Sequence, residues 1–424
     1  LIGSLVAAFK LPDLRKRILF VFAMFAVFVA GIHVPVPNIN REAMERLVTG
    51  DANLLGLFDV FSGGALKKFS IFAMGIMPYI NASIIFQLLG MAWPRLEQLS
   101  KEGESGRRKI SQYTRYLTVA LALLQGSGMC LMLRQQHIVT VGGLELIPMV
   151  LTLTAGTAFL MWLGEQITDK GIGNGVSLII FAGIMARMPF DVGRTVTLVR
   201  GGSLGYANVF LLVAIFVGTI VAIVYMQQGQ RKIPVQHAKR VVGTRVYGGG
   251  STFLPLRVNQ AGVIPIIFAI SIVYFPATIA RFVPHLKDST RDFFLNMFDP
   301  SNVLGALIYF ALVIFFTYFY TAVTFNVPEV ADNLKKNGGF IPGIRPGKPT
   351  AQYLDRVLTR ITLAGAIFLG LIALLQYYVP KITQVTTFTL VGGTSLLIVV
   401  GVAMELMQQI EAHLVMRHYE GFIK

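Results

Sequence analysis

Val209 to Met226 is a run of 18 residues with no charged side chain, and Ile308 to Val323 is another of 16. Runs this long and this apolar belong in hydrocarbon. No water reaches the backbone there, so a crossing segment must be a helix of roughly 20 mostly apolar residues. Ten segments of this kind are readable, at about 18–34, 69–92, 114–133, 147–168, 175–188, 207–226, 261–281, 303–325, 361–379 and 387–407. The fifth is short and flanked by glycines. Only 14% of the 424 residues are charged and 54% are hydrophobic, whereas a soluble fold carries about 25% charged residues. There are too few polar side chains to cover a soluble protein of this size. A single cysteine, Cys130, excludes a disulfide scaffold. The fold class expected is an all-α membrane protein with ten transmembrane helices.

The chain holds 37 Lys+Arg against 21 Asp+Glu, a net charge of +16. In a soluble protein that excess would suggest nucleic acid; in a membrane protein, basic residues collect in cytoplasmic loops. With a cytoplasmic N-terminus, the cytoplasmic segments carry 25 Lys+Arg and 12 Asp+Glu, and the opposite side carries 12 and 9. This orientation obeys the positive-inside rule, and ten crossings return the C-terminus to the cytoplasm. The first apolar run follows Arg15-Lys16-Arg17 and lacks a small-residue cleavage site, so it reads as a span rather than a cleavable signal. Ten spans divide into two sets of five, residues 1–188 and 189–424. An odd number per half makes the halves enter the membrane in opposite directions, the arithmetic of an inverted repeat whose interface commonly holds a transport path.

The spans lack the groups that ion-coupled transport or proteolysis would need. Glu165, Asp169, Arg281 and Glu405 lie near span ends, whereas coupled transporters usually embed a carboxylate or histidine. There is no H-E-x-x-H, and His413 and His418 fall in the tail. Gly347-Lys348-Pro349-Thr350 lacks the order and upstream glycine of a phosphate loop, and Gly171-Ile172-Gly173-Asn174-Gly175 follows no strand. The expectation is no enzyme, no metal and no cofactor, with energy for any movement supplied by a partner or a gradient.

Between the first two spans, Leu54 to Ala65 is apolar, too short to cross and closed by Gly63-Gly64. It reads either as an interfacial helix or as a short re-entrant helix that stoppers a cavity, because irregular backbone at membrane depth must be surrounded by protein or a water-filled cavity. In the second span Ile80 and Ile84 are four apart and share a helix face, and Ile180 and Ile184 repeat this in the fifth. Core packing or lipid contact is the other reading of each pair.

Phe61-Ser62-Gly63-Gly64-Ala65, followed by Gly75-Ile76-Met77-Pro78-Tyr79-Ile80, resembles the plug and second span of the SecY family, the central subunit of the protein-conducting channel, in its bacterial form. The resemblance continues through Gly171–Gly175, Ala261–Pro265, Phe275–Thr278, Phe340–Gly347 and Gly392–Ile398. It implies two five-helix halves around an hourglass pore. An aliphatic ring formed by Ile80, Ile84, Ile180, Ile184, Ile267 and Ile398 would close the waist. A plug at about 54–66 would include Leu57, Phe58, Val60, Phe61, Ser62, Gly63 and Gly64. A lateral gate would bring spans two and three against seven and eight, with Gln87, Gln125, Asn259 and Gln260 as its polar members. Ordinary helix contacts are the alternative for these four.

Two loops concentrate the basic residues. Loop 227–260 carries Arg231, Lys232, Lys239, Arg240, Arg245 and Arg257 with no acid, and its Val241–Gly250 tip reads as a hairpin-like projection. Loop 328–360 carries Lys335, Lys336, Arg345, Lys348, Arg356 and Arg360. Topology alone would place such charges. The resemblance makes them docking surfaces for the ribosome, through its RNA, and for the SecA motor, with Arg345 foremost and Arg245, Arg240, Lys239 and Lys348 beside it. It further implies SecE and SecG as membrane partners, signal sequences and nascent polypeptides as cargo, release of apolar segments into the lipid bilayer, and residence in the bacterial inner membrane. An inverted-repeat solute transporter and a lipid scramblase or insertase are the rival readings.

Overall fold

The computed structural model describes residues 9–37, 39–40, 42–44, 47, 59, 62–139, 142, 144–237, 240–242, 245–247, 251–270, 272–273, 297–385 and 393–420. The chain forms two compact units, Leu1–Thr197 with Val402–Lys424, and Leu198–Gly401.

The first unit contains α1 (Pro12–Ile32), α2 (Met77–Ala92), α3 (Pro94–Lys101), α4 (Glu104–Gln135), α5 (Leu146–Lys170) and α6 (Gly175–Arg200). The fifth span, expected to end at 188, instead continues through Pro189 as a 26-residue helix. Its start is fixed locally: the Asn174 Oδ1 accepts from the N–H groups of Val176 and Ser177 at 3.0 and 3.2 Å, an N-cap. The second span is shorter than expected. Residues 62–76 are successive turns, and α2 begins only at Met77, with Pro78 in its first turn. Gly63, Gly64 and Gly75 take positive φ angles of 71°, 85° and 58°, which a helix cannot accommodate. At 16 residues, α2 is about 24 Å long, less than a hydrocarbon core of about 30 Å. The turns ahead of it are covered by protein. Leu66, Phe69 and Ala73 are buried in one core with Ala122, Leu133 and Leu153 of α4 and α5. Phe72 stacks between Phe28 of α1 and Phe159 of α5, with centroids 6.1 and 6.0 Å apart.

The second unit contains α7 (Tyr206–Gln228), strands β1 (Gln230–His237), β2 (Arg240–Val242), β3 (Arg245–Tyr247) and β4 (Ser251–Arg257), then α8 (Val303–Thr324), α9 (Val327–Lys336), β5 (Gly339–Phe340) and α10 (Lys348–Thr383). The segment beginning at 261 is helical over 264–270 and 272–273. Helix α11 (Gly393–Glu420) lies in this unit as far as Gly401 and in the first from Val402. Among the described residues, α4 to α7, α8 continued through α9, α10 and α11 are the seven helical segments long and apolar enough to cross a membrane. The remaining three of the ten apolar segments are α1, α2 and the stretch from 261.

The two basic loops form one packed block. β1 and β4 pair antiparallel from Gln230↔Arg257 to Gln236↔Ser251, and β5 adds to the other edge of β1 through Gln236↔Phe340. β2 and β3 pair as the expected hairpin tip. Beneath the sheet, Ile233 and Leu256 meet Val327 of α9, Ile341, and Leu354 and Leu358 of α10. Period-2 burial on β1 and helical spacing on α10 direct both apolar faces inward. Leu354 is fully buried at the centre. Leu354→Asp should therefore destabilise the block by about 3 kcal/mol or more. Brief trypsin digestion should then cut at Arg231, Lys232 and Arg257, which resist in the parent chain.

Candidate functional site

The segment between α1 and α2 is organised around Asp59 and Ser62. The Gly64 N–H and the Ser62 hydroxyl donate to the Asp59 carbonyl oxygen at 2.8 and 3.1 Å. The Leu66 N–H donates to Ser62 Oγ at 3.3 Å, and the Lys67 N–H donates to Asp59 Oδ1 at 2.7 Å. The turn touches α6 backbone to backbone: a Cβ on Gly63 would stand 2.8 Å from Gly183 Cα and 3.1 Å from its carbonyl oxygen. Glycine alone permits this approach at a φ of +71°. Gly183 immediately precedes Ile184, so Gly63 meets the stretch of α6 that carries Ile180 and Ile184, while Gly64 has open space beside it. Leu57, Phe58, Val60 and Phe61 lie outside the described residues.

Ile180 and Ile184 are buried on α6, and Ile80 and Ile84 are half-buried along one face of α2, all four in the first unit. In the second unit, Ile267 is half-buried in the helical stretch 264–270 and Ile398 is buried on α11. Gln87 is exposed on α2 and Gln125 half-buried on α4. Asn259 and Gln260 follow β4, and their side-chain carbonyl oxygens are buried with no hydrogen-bond partner among the described residues.

One ion pair escaped the reading of the sequence. Arg187 Nη1 of α6 lies 2.7 Å from Asp59 Oδ2, and its Nε lies 3.4 Å from Asp191 Oδ1 one turn on. The Asp59 side chain is 1% exposed and that of Arg187 19%. Burial raises the Asp59 carboxyl above the ordinary carboxylate range, while Arg187 and the Lys67 N–H oppose that rise. A signal was available: Asp59 is the one charge in the run from Leu54 to Ala65, and a lone charge in an apolar membrane segment marks a functional position by default. Arg187 sits at the expected end of span five and Asp191 beyond it, and hydropathy gave no reason to pair Arg187 with a residue 128 positions earlier.

On the loop block, Arg345 is exposed in a turn whose backbone is fixed. Gly343 and Gly347 take φ of 79° and 101°, and the Thr350 hydroxyl donates to the Arg345 carbonyl oxygen at 2.9 Å. Lys348 is exposed at the start of α10. Arg240 and Arg245 occupy β2 and β3, and Lys239 lies outside the described residues.

The architecture is that of a multi-pass helical membrane protein with a basic extramembrane block. A family model described as SecY matches residues 70–407. The protein translocase subunit SecY of Streptomyces galbus is 46% identical over the whole of both chains. That of Thermotoga maritima is 47% identical over 98% of this chain and 96% of its own. A solved protein-conducting channel superposes with a TM-score of 0.63 at 16% identity, covering 96% of each chain. Sec61 from a canine ribosome-channel complex of the endoplasmic reticulum does so with 0.60 at 15% identity, again covering 96% of each. The fold is that of a protein-conducting channel, and the molecule is a protein-translocation channel subunit. The chain belongs to the SecY family.

Proposed function

We propose that the chain is a passive pore for unfolded polypeptides, without catalysis of its own, sealed by the six isoleucines and by a plug at about 54–66. The observation that carries this reading is the contact of the Gly63 turn with α6 at Gly183, beside Ile184. A chain in transit presents every kind of side chain, so fixed polar groups would trap some sequences. Flexible aliphatic groups conform to all of them and form a constriction that dewets and resists ions. Opening requires a signal sequence or partner that binds the open form better.

In this reading Gln87, Gln125 and Asn259 border a lateral gate through which apolar segments pass into lipid. The orphaned carbonyl oxygens of Asn259 and Gln260 support it, because such groups are free to take partners across a seam. The ribosome and the SecA motor dock on the basic block, where Arg231, Lys232, Arg257, Lys335, Lys336, Arg345 and Lys348 are exposed. SecE and SecG complete the complex in the bacterial inner membrane, with both termini cytoplasmic. Solved relatives of the same fold include a ribosome-bound Sec61 channel, in keeping with ribosome docking.

Crosslinking tests the pore. With Cys130 replaced, single cysteines at 80, 84, 180, 184, 267 and 398 should each capture a stalled translocating chain. Lipid-facing positions such as Phe210 should not. Capture confined to one helix would refute the shared ring.

A further inference from the structure

The ion pair between Asp59 and Arg187 joins the turn to α6. We propose that it is an electrostatic latch that holds the turn closed and sets how much binding energy an incoming polypeptide must supply to displace it. The inference rests on the plug reading above.

The geometry suits a reversible contact. One carboxylate oxygen of Asp59 is bound by its own turn, through the Lys67 N–H at 2.7 Å, and the other faces Arg187 at 2.7 Å. With the Gly64 and Ser62 bonds to its carbonyl oxygen, Asp59 moves with the turn as one piece. A buried arginine left without an anion would make opening very costly. Here Asp191 stands one helical turn away, 3.4 Å from Nε, so the guanidinium keeps a partner when Asp59 departs. The released carboxylate is solvated by water entering the opened passage. Closed and open forms are thus both compensated electrostatically, as a two-state element requires. The arrangement is asymmetric: Asp59→Asn removes the charge of the latch while its amide oxygen can still accept from the Lys67 N–H, whereas losing Arg187 takes from both Asp59 and Asp191 the cation they share.

The test is the resting ion conductance of the complete translocase in planar bilayers. The channels compared are the parent, Asp59→Asn, Arg187→Gln, Arg187→Lys, the Asp59→Asn/Arg187→Gln double variant, a deletion of 54–66, and Glu165→Gln as a control. Glu165 belongs to a separate, partly exposed pair with Arg115 at 2.7 Å. Asp59→Asn should raise conductance about tenfold, equivalent to about 1.4 kcal/mol. Arg187→Gln should raise it further, and the double variant should not exceed the larger single. Arg187→Lys should retain most of the seal, and Glu165→Gln should match the parent. If the deletion leaks and Asp59→Asn does not, the latch is overturned and the plug stands. If the deletion does not leak, the plug reading fails and the latch with it. Should Arg187→Gln not assemble, the isosteric Asp59→Asn decides alone.

Discussion

Leucine in place of Gly156 should prevent the first unit from assembling. Gly156 lies on the buried face of α5, where an added Cβ would overlap the carbonyl oxygen of Ile71. That oxygen belongs to the non-helical stretch 62–76, which Phe28, Phe72 and Phe159 and the Leu66, Phe69 and Leu153 core hold in place. Neither backbone can retreat without opening this packing. Irregular backbone at membrane depth persists only while protein covers it. Overpacking in a well-filled core costs about 1–3 kcal/mol, and four added carbons against a main-chain oxygen belong at or beyond the top of that range. Total stabilities are only about 5–15 kcal/mol. The expected result is loss of the monodisperse peak in detergent size exclusion. Gly193→Leu is the matched control, since Gly193 lies on α6 with nothing within 4 Å of a Cβ; it should elute like the parent. An unchanged peak for Gly156→Leu would contradict the close approach.

Arg345→Glu should lower motor-driven translocation by about tenfold or more, about 1.4 kcal/mol of coupling, while the protein accumulates and assembles normally. The contrast follows from position. Arg345 is exposed and contributes nothing to the core beneath it, whereas its backbone is fixed by Gly343, Gly347 and the Thr350 hydroxyl. The substitution therefore reverses one presented charge without moving the surface that presents it. A surface ion pair alone is worth about 0–1 kcal/mol. Charge reversal loses that pair and adds like-charge repulsion, which is how one exposed position can reach a loss of this size. The measurement is ATP-dependent uptake of a signal-bearing polypeptide into vesicles across a range of motor concentrations. Lys336→Glu on the same block should have a much smaller effect. Equal losses from both would assign docking to net charge, and no loss from Arg345→Glu would remove its proposed role.

Membrane residence, helical class and the SecY family were all legible in the chain. Hydropathy is a sum over consecutive residues, so the apolar runs needed no three-dimensional information. The Ser62-Gly63-Gly64 and Pro342-Gly343-Ile344-Arg345-Pro346-Gly347 motifs are local, because each fixes a backbone shape that few other residues allow. The hairpin tip between 241 and 250 was readable for the same reason. Hydropathy averages, however, cannot distinguish a helix from covered turns of equal apolarity. The second span was therefore expected from 69, although α2 begins at Met77. Nor could they carry α6 past Pro189 to Arg200.

By itself, the sequence determined what solvent each segment requires and which short turns it must make, since both depend on neighbours along the chain. Tertiary structure decided the rest: that the two basic loops share one core, that Gly63 rests on Gly183, and that Asp59 meets Arg187 across 128 residues. Those contacts join side chains from distant elements. Their energies depend on separation in space and on exclusion of water, and neither quantity is written in the order of residues along the chain.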